Sequence, residues 1–178
     1  MKGPCIPWEE DMQSDSMAFE IAGKNATGIH TVYRPIDALT HPKSAEVQAF
    51  WDARPVDGIV IGRDVPSRII ASLLSHIIVH EPINGGGNLK VRIAGTAMRR
   101  RFGDDITRKT LSDLFPGPDF QDRLKSVLTA IETGAPQFAD CHLSNGSFEI
   151  LHSELEILPV FARDRISKWA MTVVLFFD

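Results

Sequence analysis

Leu89–Phe115 reads LKVRIAGTAMRRRFGDDITRKTLSDLF, and the elements it spells decide how the rest of the chain is read. Leu89, Val91 and Ile93 alternate with Lys90 and Arg92, the period of a strand with one face buried. Thr96–Phe102 follows as a short helix with Met98 and Phe102 inward, and Gly103 is placed to cap it in the left-handed conformation. A second short helix covers Leu111–Phe115 and stops at Pro116. The stretch holds no nucleophile beside a base, no metal-ligand cluster and no phosphate-cradling glycine loop. That combination points to a sensing or interaction domain rather than a catalyst.

Working outward, His76–Ile83 (HIIVHEPI) reads as a strand, and NGGGN turns it back into Leu89–Ala94 as a hairpin. Downstream, Asp119–Thr133 has the clearest helical period. Phe120, Leu124, Val127, Leu128 and Ile131 share one face, Gln121, Asp122, Arg123, Lys125 and Glu132 the other, and Gly134 is the cap. Three strands close the chain at about Gln137–Leu143, Phe148–Leu158 and Ser167–Phe177, with SNGS as a hairpin turn between the first two. The last strand is apolar on both faces, so both need covering. One face meets the domain's own helices. The other calls for an N-terminal helix or a second subunit, which motivates an expected homodimer.

Upstream, Pro42 suits the first turn of a helix reaching about Ala53, with Val47, Phe50 and Trp51 on one side. VDGIVIGRDV reads as an irregular linker, and Pro66 opens a second short helix carrying Ile69, Ile70, Leu73 and Leu74. Residues 1–35 show no sustained period and read as a partly flexible arm. The expected organisation is therefore an arm over 1–35 and a domain over 36–178, with a helical cap at 42–74 and a core at 75–178.

At 178 residues and 43% hydrophobic, the chain is long enough for one domain with a sizeable core. A net charge of −4 argues against a nucleic-acid binder. Cys5 and Cys141 form no C-x-x-C pair or disulfide framework. The N-terminus lacks a signal-peptide core, and no apolar run reaches the roughly 18 residues of a membrane span. A soluble, cytoplasmic protein with no membrane partner is expected.

Candidate chemistry is sparse. His76 and His80 have metal-ligand spacing on a helix, but on a strand they stand ~13 Å apart, so no metal site is expected there. Asp140, Cys141 and His142 are contiguous, yet strand alternation sends Cys141 and His142 to opposite faces, leaving a packed thiol rather than a nucleophile. His152 lies on the neighbouring strand, in a register the residues do not settle. Arg99, Arg100 and Arg101 read either as the solvated side of a helix or as an anion contact. Asp104 and Asp105 suit turns and caps. Ser-His-Asp, H-E-x-x-H and G-x-S-x-G patterns are absent, so no catalytic residue is assigned.

Ala94-Gly95-Thr96, then Arg101-Phe102-Gly103-Asp104-Asp105-Ile106-Thr107, then Lys109-Thr110-Leu111-Ser112-Asp113-Leu114-Phe115-Pro116 resemble the PAS domain pattern of G-T, F-G-D-D-x-T-G-K and L-x-D-L-F-P. Arg108 stands where that pattern often has glycine. Phe50-Trp51, Arg63 and Leu73-Leu74-Ser75-His76, the last with serine in a proline position, resemble a group of stand-alone PAS-like proteins common in alphaproteobacteria. The likeness runs from about Pro42 to Phe177.

The resemblance implies an α+β fold: a five-stranded antiparallel sheet with helices on one face around a small pocket, plus an N-terminal helical extension. Candidate pocket liners are Met98, Phe102, Phe115, Leu124, Leu128 and Phe138. The cofactor is unknown. Flavin-adduct photochemistry is disfavoured because residues 104–117 carry no cysteine, and haem held from the long helix because residues 118–133 carry no histidine. No output module follows the last strand, so a signal is expected to leave through a partner protein. The expected function is thus a stand-alone sensory or regulatory domain that signals through protein-protein contacts, either binding a small ligand in its core or serving as an adaptor. The alternative is a small lyase or isomerase on a curved sheet, which needs His142, His152 or Asp140 to converge in a polar cavity.

Overall fold

The computed structural model describes residues 29–145 and 148–177. The reading of residues 1–28 as an arm lies outside them. The described residues build an α+β domain. Its strands are β1 (Ile29–Ile36), β2 (Ile77–Ile83), β3 (Asn88–Ala94), β4 (Gln137–Asn145), β5 (Phe148–Phe161) and β6 (Lys168–Phe177). Its helices are α1 (Ser44–Asp52), α2 (Thr96–Phe102), α3 (Leu111–Leu114) and α4 (Pro118–Thr133), with a 3-10 turn at Ala71–His76. No helix of the described residues is long and apolar enough to cross a membrane.

The strands form one antiparallel sheet in the order β1-β4-β5-β6-β2-β3. The five expected strands are present, and a sixth is added at the β4 edge. That sixth strand, β1, comes from the stretch read as the end of the arm. Its IHTVYRPI has too few alternating apolar positions to announce itself, and it forms because β4 offers an edge to pair with, from Ile29↔Asn145 to Ile36↔Phe138. Pro35, which cannot donate to a ladder, is tolerated because β1 is an edge strand.

β6 lies between β5 and β2, so Ala170–Phe176 are buried on both faces. The front face carries α2, α3 and α4. The back face is closed by α1 and the segment after it: Val47, Phe50, Ile59, Ile61, Ile70 and Leu73 pack against Val79, Leu158, Met171 and Val173. A fully buried side chain of this kind contributes about 1.5–3 kcal/mol over leaving it in water. Helix α1 has no side-chain N-cap and is held by this packing rather than by intrinsic propensity. Its approach is pinned by Glu154, which accepts from Thr40 N, Thr40 Oγ1 and His41 N at 2.6–3.0 Å. The apolar back face that motivated a second subunit is thus covered by the chain's own cap.

The irregular linker is held against the domain: Val60 bridges Phe161 and Ile61 bridges Val65, and Ile59–Ile61 are buried. Two local readings need correction. Ile93 does not share the inner face with Leu89 and Val91. A bulge opposite Val79/His80 pairs Val79 with Ile93 but His80 with Val91, and the extra residue turns Ile93 outward to 38% exposure. Helix α4 is rotated from the face read in its sequence. It buries Arg123, Leu124, Ser126, Val127 and Ala130, while Phe120, Leu128 and Ile131 are only partly buried.

Candidate functional site

The rotation of α4 carries a charge into the domain. Between the front of the sheet and helices α2–α4 lies a cavity of about 60 Å³. Its walls are mostly apolar, among them Ile78, Met98, Phe102, Leu155 and Val174, but Arg123, His80, Tyr33 and Cys141 also line it. The Arg123 guanidinium lies 3.9 Å from the ring centroid of Phe115 and 4.7 Å from that of Tyr33. Its Nη2 donates to Cys141 Sγ at 3.0 Å. Its ion-pair partner Asp119 is distant, at 3.9 Å, and burial raises the Asp119 pKa despite Arg123. Arg123 Nε has no hydrogen-bond partner.

Two neutral polar groups share the cavity. His80 is buried, and its Nδ1 is without a partner. Burial, and secondarily the positive charge of Arg123, push its pKa down to about 4, so the imidazole is neutral near pH 7. Burial also raises the Tyr33 pKa. Its hydroxyl faces Ser126 without closing a well-formed hydrogen bond, while the Ser126 hydroxyl donates to the Asp122 carbonyl at 3.1 Å. Unpaired buried polar groups cost about 1–3 kcal/mol each, more when charged. The cavity therefore offers donors on a compact cationic centre and suits a small anionic or strongly polar group.

Of the residues expected to line a pocket, Met98, Phe102 and Phe115 do so. Helical and capping patterns place them. Gly103 closes α2 at φ 68°, and a Thr110–Asp113 capping box starts α3. Phe102 and Phe115 meet edge to face, 5.8 Å between centroids. Leu124 and Leu128 belong instead to the layer between α4 and the sheet, with Val127, Ala130 and Ile157. Phe138 has the strand parity opposite to Ala139 and Leu143, which pack on the front, and so lies on the back face. Arg99–Arg101 are outside the cavity lining. Arg99 Nε donates to the Ala94 carbonyl at 3.2 Å, and the Arg101 guanidinium stacks on Phe176 at 3.8 Å. The residues that sequence reasoning missed are Arg123, His80 and Tyr33. An arginine in a helical pattern reads as solvent-facing, and the spacing of His80 from His76 draws attention to metal ligation instead. Its parity with Ile78 was the available signal.

A second polar group sits on the back face. Asp140 Oδ2 meets His142 Nε2 at 2.8 Å and Arg34 Nη2 at 3.0 Å, and Asp140 Oδ1 meets His152 Nε2 at 2.7 Å. Burial opposes the charge of Asp140, but hydrogen bonds from His152, Arg34 and His142 outweigh it and hold the carboxyl below its usual range. These are the three residues the enzyme alternative required to converge. They do converge, but on the face opposite the cavity, with their imidazoles 29% and 27% exposed.

The fold and this buried pocket under the helices define a domain of the PAS class. The PAS domain family matches residues 39–171, and the chain belongs to it. PAS domains are generally sensory or regulatory rather than enzymatic. A solved structure, a domain of an HTR-like protein from Haloarcula marismortui ATCC 43049, is similar at 21% identity and a TM-score of 0.45, covering 57% of this chain and 97% of its own. No curated protein matches the chain.

Proposed function

We propose that this PAS domain senses a compact anion, of the size and chemistry of a short-chain carboxylate, and passes the signal on through a protein contact. The observation that carries this reading is a cavity of about 60 Å³ lined by both the buried Arg123, whose Nε is unpaired, and the buried His80, whose Nδ1 is unpaired. A water molecule occupies roughly 30 Å³ of liquid, so the space takes a group of a few heavy atoms. Ligand pockets for larger molecules run to about 300–1,000 Å³, and a flavin or haem is far beyond this cavity.

A carboxylate bridging Arg123 on α4, His80 on β2 and Tyr33 on β1 would tie the long helix to two strands that are not neighbours in the sheet. Binding would favour the arrangement in which α4 is seated on the sheet, at the expense of looser ones, and the outer surface of α4 would report the difference. Thermal melts of the full chain with formate, acetate or propionate test this. Wild type should gain stability with ligand concentration, as expected for binding to the native state alone, and Arg123→Met should lose that response. If no small anion raises the wild-type melting temperature and Arg123→Met melts no lower, the arginine is only packing, and the domain is an adaptor without a ligand.

A further inference from the structure

We propose that Asp140, His142 and His152 form a site for one divalent transition metal ion of the zinc type, on the sheet face opposite the cavity. This site shares no residue with the anion-sensing cavity. One ligand atom from each of the three residues lies within 4.8 Å of the other two. The backbone enforces this convergence. His142 and His152 are directly cross-strand in the β4–β5 ladder, and Asp140 lies two residues from His142, on the same face. The imidazoles stack at 4.1 Å with 13° between planes, and both Nε2 atoms turn towards the two oxygens of one carboxylate.

Those N···O distances of 2.7 and 2.8 Å fit a bridging proton. A tetrahedral zinc ion with ligands at ~2.0–2.2 Å sets them roughly 3.4 Å apart. The groups therefore need to spread by about 0.6–0.7 Å and tilt, and both imidazoles are partly exposed, at 29% and 27%. Two imidazoles and a carboxylate select zinc, cobalt, nickel or copper over magnesium and calcium, which prefer all-oxygen shells. Three protein ligands leave a fourth position open to solvent.

The surroundings support the ligands. Phe177 stacks on the outer side of His152 at 4.1 Å and 11°, and His41 meets Phe177 edge-on at 4.9 Å, so the His152 ring is held between two parallel planes. Arg34 is the competing cation. Its side chain is 65% exposed. It can keep its bond to Asp140 Oδ2 while Oδ1 turns to the metal, the outer hydrogen bond that ligating carboxylates usually carry.

The test is equilibrium dialysis of the tag-free, chelator-stripped full chain against zinc, with magnesium in excess. Wild type should retain one equivalent. His142→Ala, His152→Ala and Asp140→Asn should each weaken retention by about tenfold or more, with circular dichroism confirming the fold. Histidine ring NMR signals of wild type give a readout that needs no variant: two imidazoles should shift on titration to one equivalent of zinc. Cobalt should add the visible bands of a site with nitrogen and oxygen ligands. The proposal is overturned if wild type retains no stoichiometric zinc, if the folded His142→Ala, His152→Ala double variant retains as much, or if the histidine signals stay unmoved.

Discussion

Arg108 marks the place where this chain departs from the glycine its family pattern often carries, and the backbone shows what that departure means. Its φ is 75°, in the left-handed region where a side chain costs about 1 kcal/mol or more and glycine costs little. The conformation persists because the flanking bonds over-determine it: Arg108 N donates to Val91 O at 2.8 Å and Val91 N to Lys109 O at 2.9 Å. Arg108→Gly should therefore leave the loop unchanged and raise stability by up to ~1 kcal/mol, read as a higher denaturation midpoint at constant slope. A lower midpoint would mean that the arginine side chain contributes more than its backbone strain removes. Gly95 is the reverse case. A Cβ there would run into the backbone carbonyl of Ser75, because α2 starts hard against the 3-10 turn before β2.

At the scale of elements, β1 is the one that local pattern did not reveal, and the cavity depends on it through Tyr33. Removing residues 1–36 should strip one wall from the cavity and expose the unpaired edge of β4. Exposed edges pair with other chains, so the truncated protein should melt lower and elute as aggregate in size-exclusion chromatography. A monomer with unchanged melting would show β1 to be dispensable. The β4–β5 hairpin shows how little a turn says about register. Asn145 pairs with Phe148 and Ser144 with Glu149, but a register shift between Leu143 and Ser144 then sets Leu143 opposite Leu151 and His142 opposite His152. Without that one-residue slip, His142 would face Leu151, and His152 would point into the front face.

For the whole molecule, the two covered faces of the sheet hold titratable groups that pull stability in opposite directions with pH. Glu156 is buried on the back face at 1% exposure with Oε1 unpaired. Burial, and then the charge of Asp52, raise its pKa from 4.5 to about 7. A carboxyl raised on folding carries no penalty while protonated in both states, below about pH 4.5. Stability is then lost as pH rises from there through 7, on the order of 3 kcal/mol in full. His80, lowered from 6.5 to about 4, acts oppositely: its contribution is complete above pH 6.5 and is lost as pH falls towards 4. Glu156→Gln isolates the first effect. The variant should be more stable than wild type at pH 8 and nearly equal to it at pH 4.5, measured by urea unfolding across that range. A difference that does not change with pH would rule out Glu156 as the source.

The order of elements after β1, the class of fold and the apolar liners Met98, Phe102 and Phe115 are legible in the sequence. The elements rest on local physics, since periodicity, capping and turn residues act within a few positions of one another, and the class of fold rests on the motif resemblance between Ala94 and Pro116. The polar cores of both candidate sites were decided by tertiary structure. Arg123 is interior because α4 seats on the sheet about one rotated stripe from its most apolar face, over a cavity that admits a guanidinium. Tyr33 joins it because an unpaired edge of β4 recruits β1. Asp140, His142 and His152 meet because one bulge sets the parity of an entire strand. Each of these depends on where distant segments are held against one another, and no local pattern carries that information.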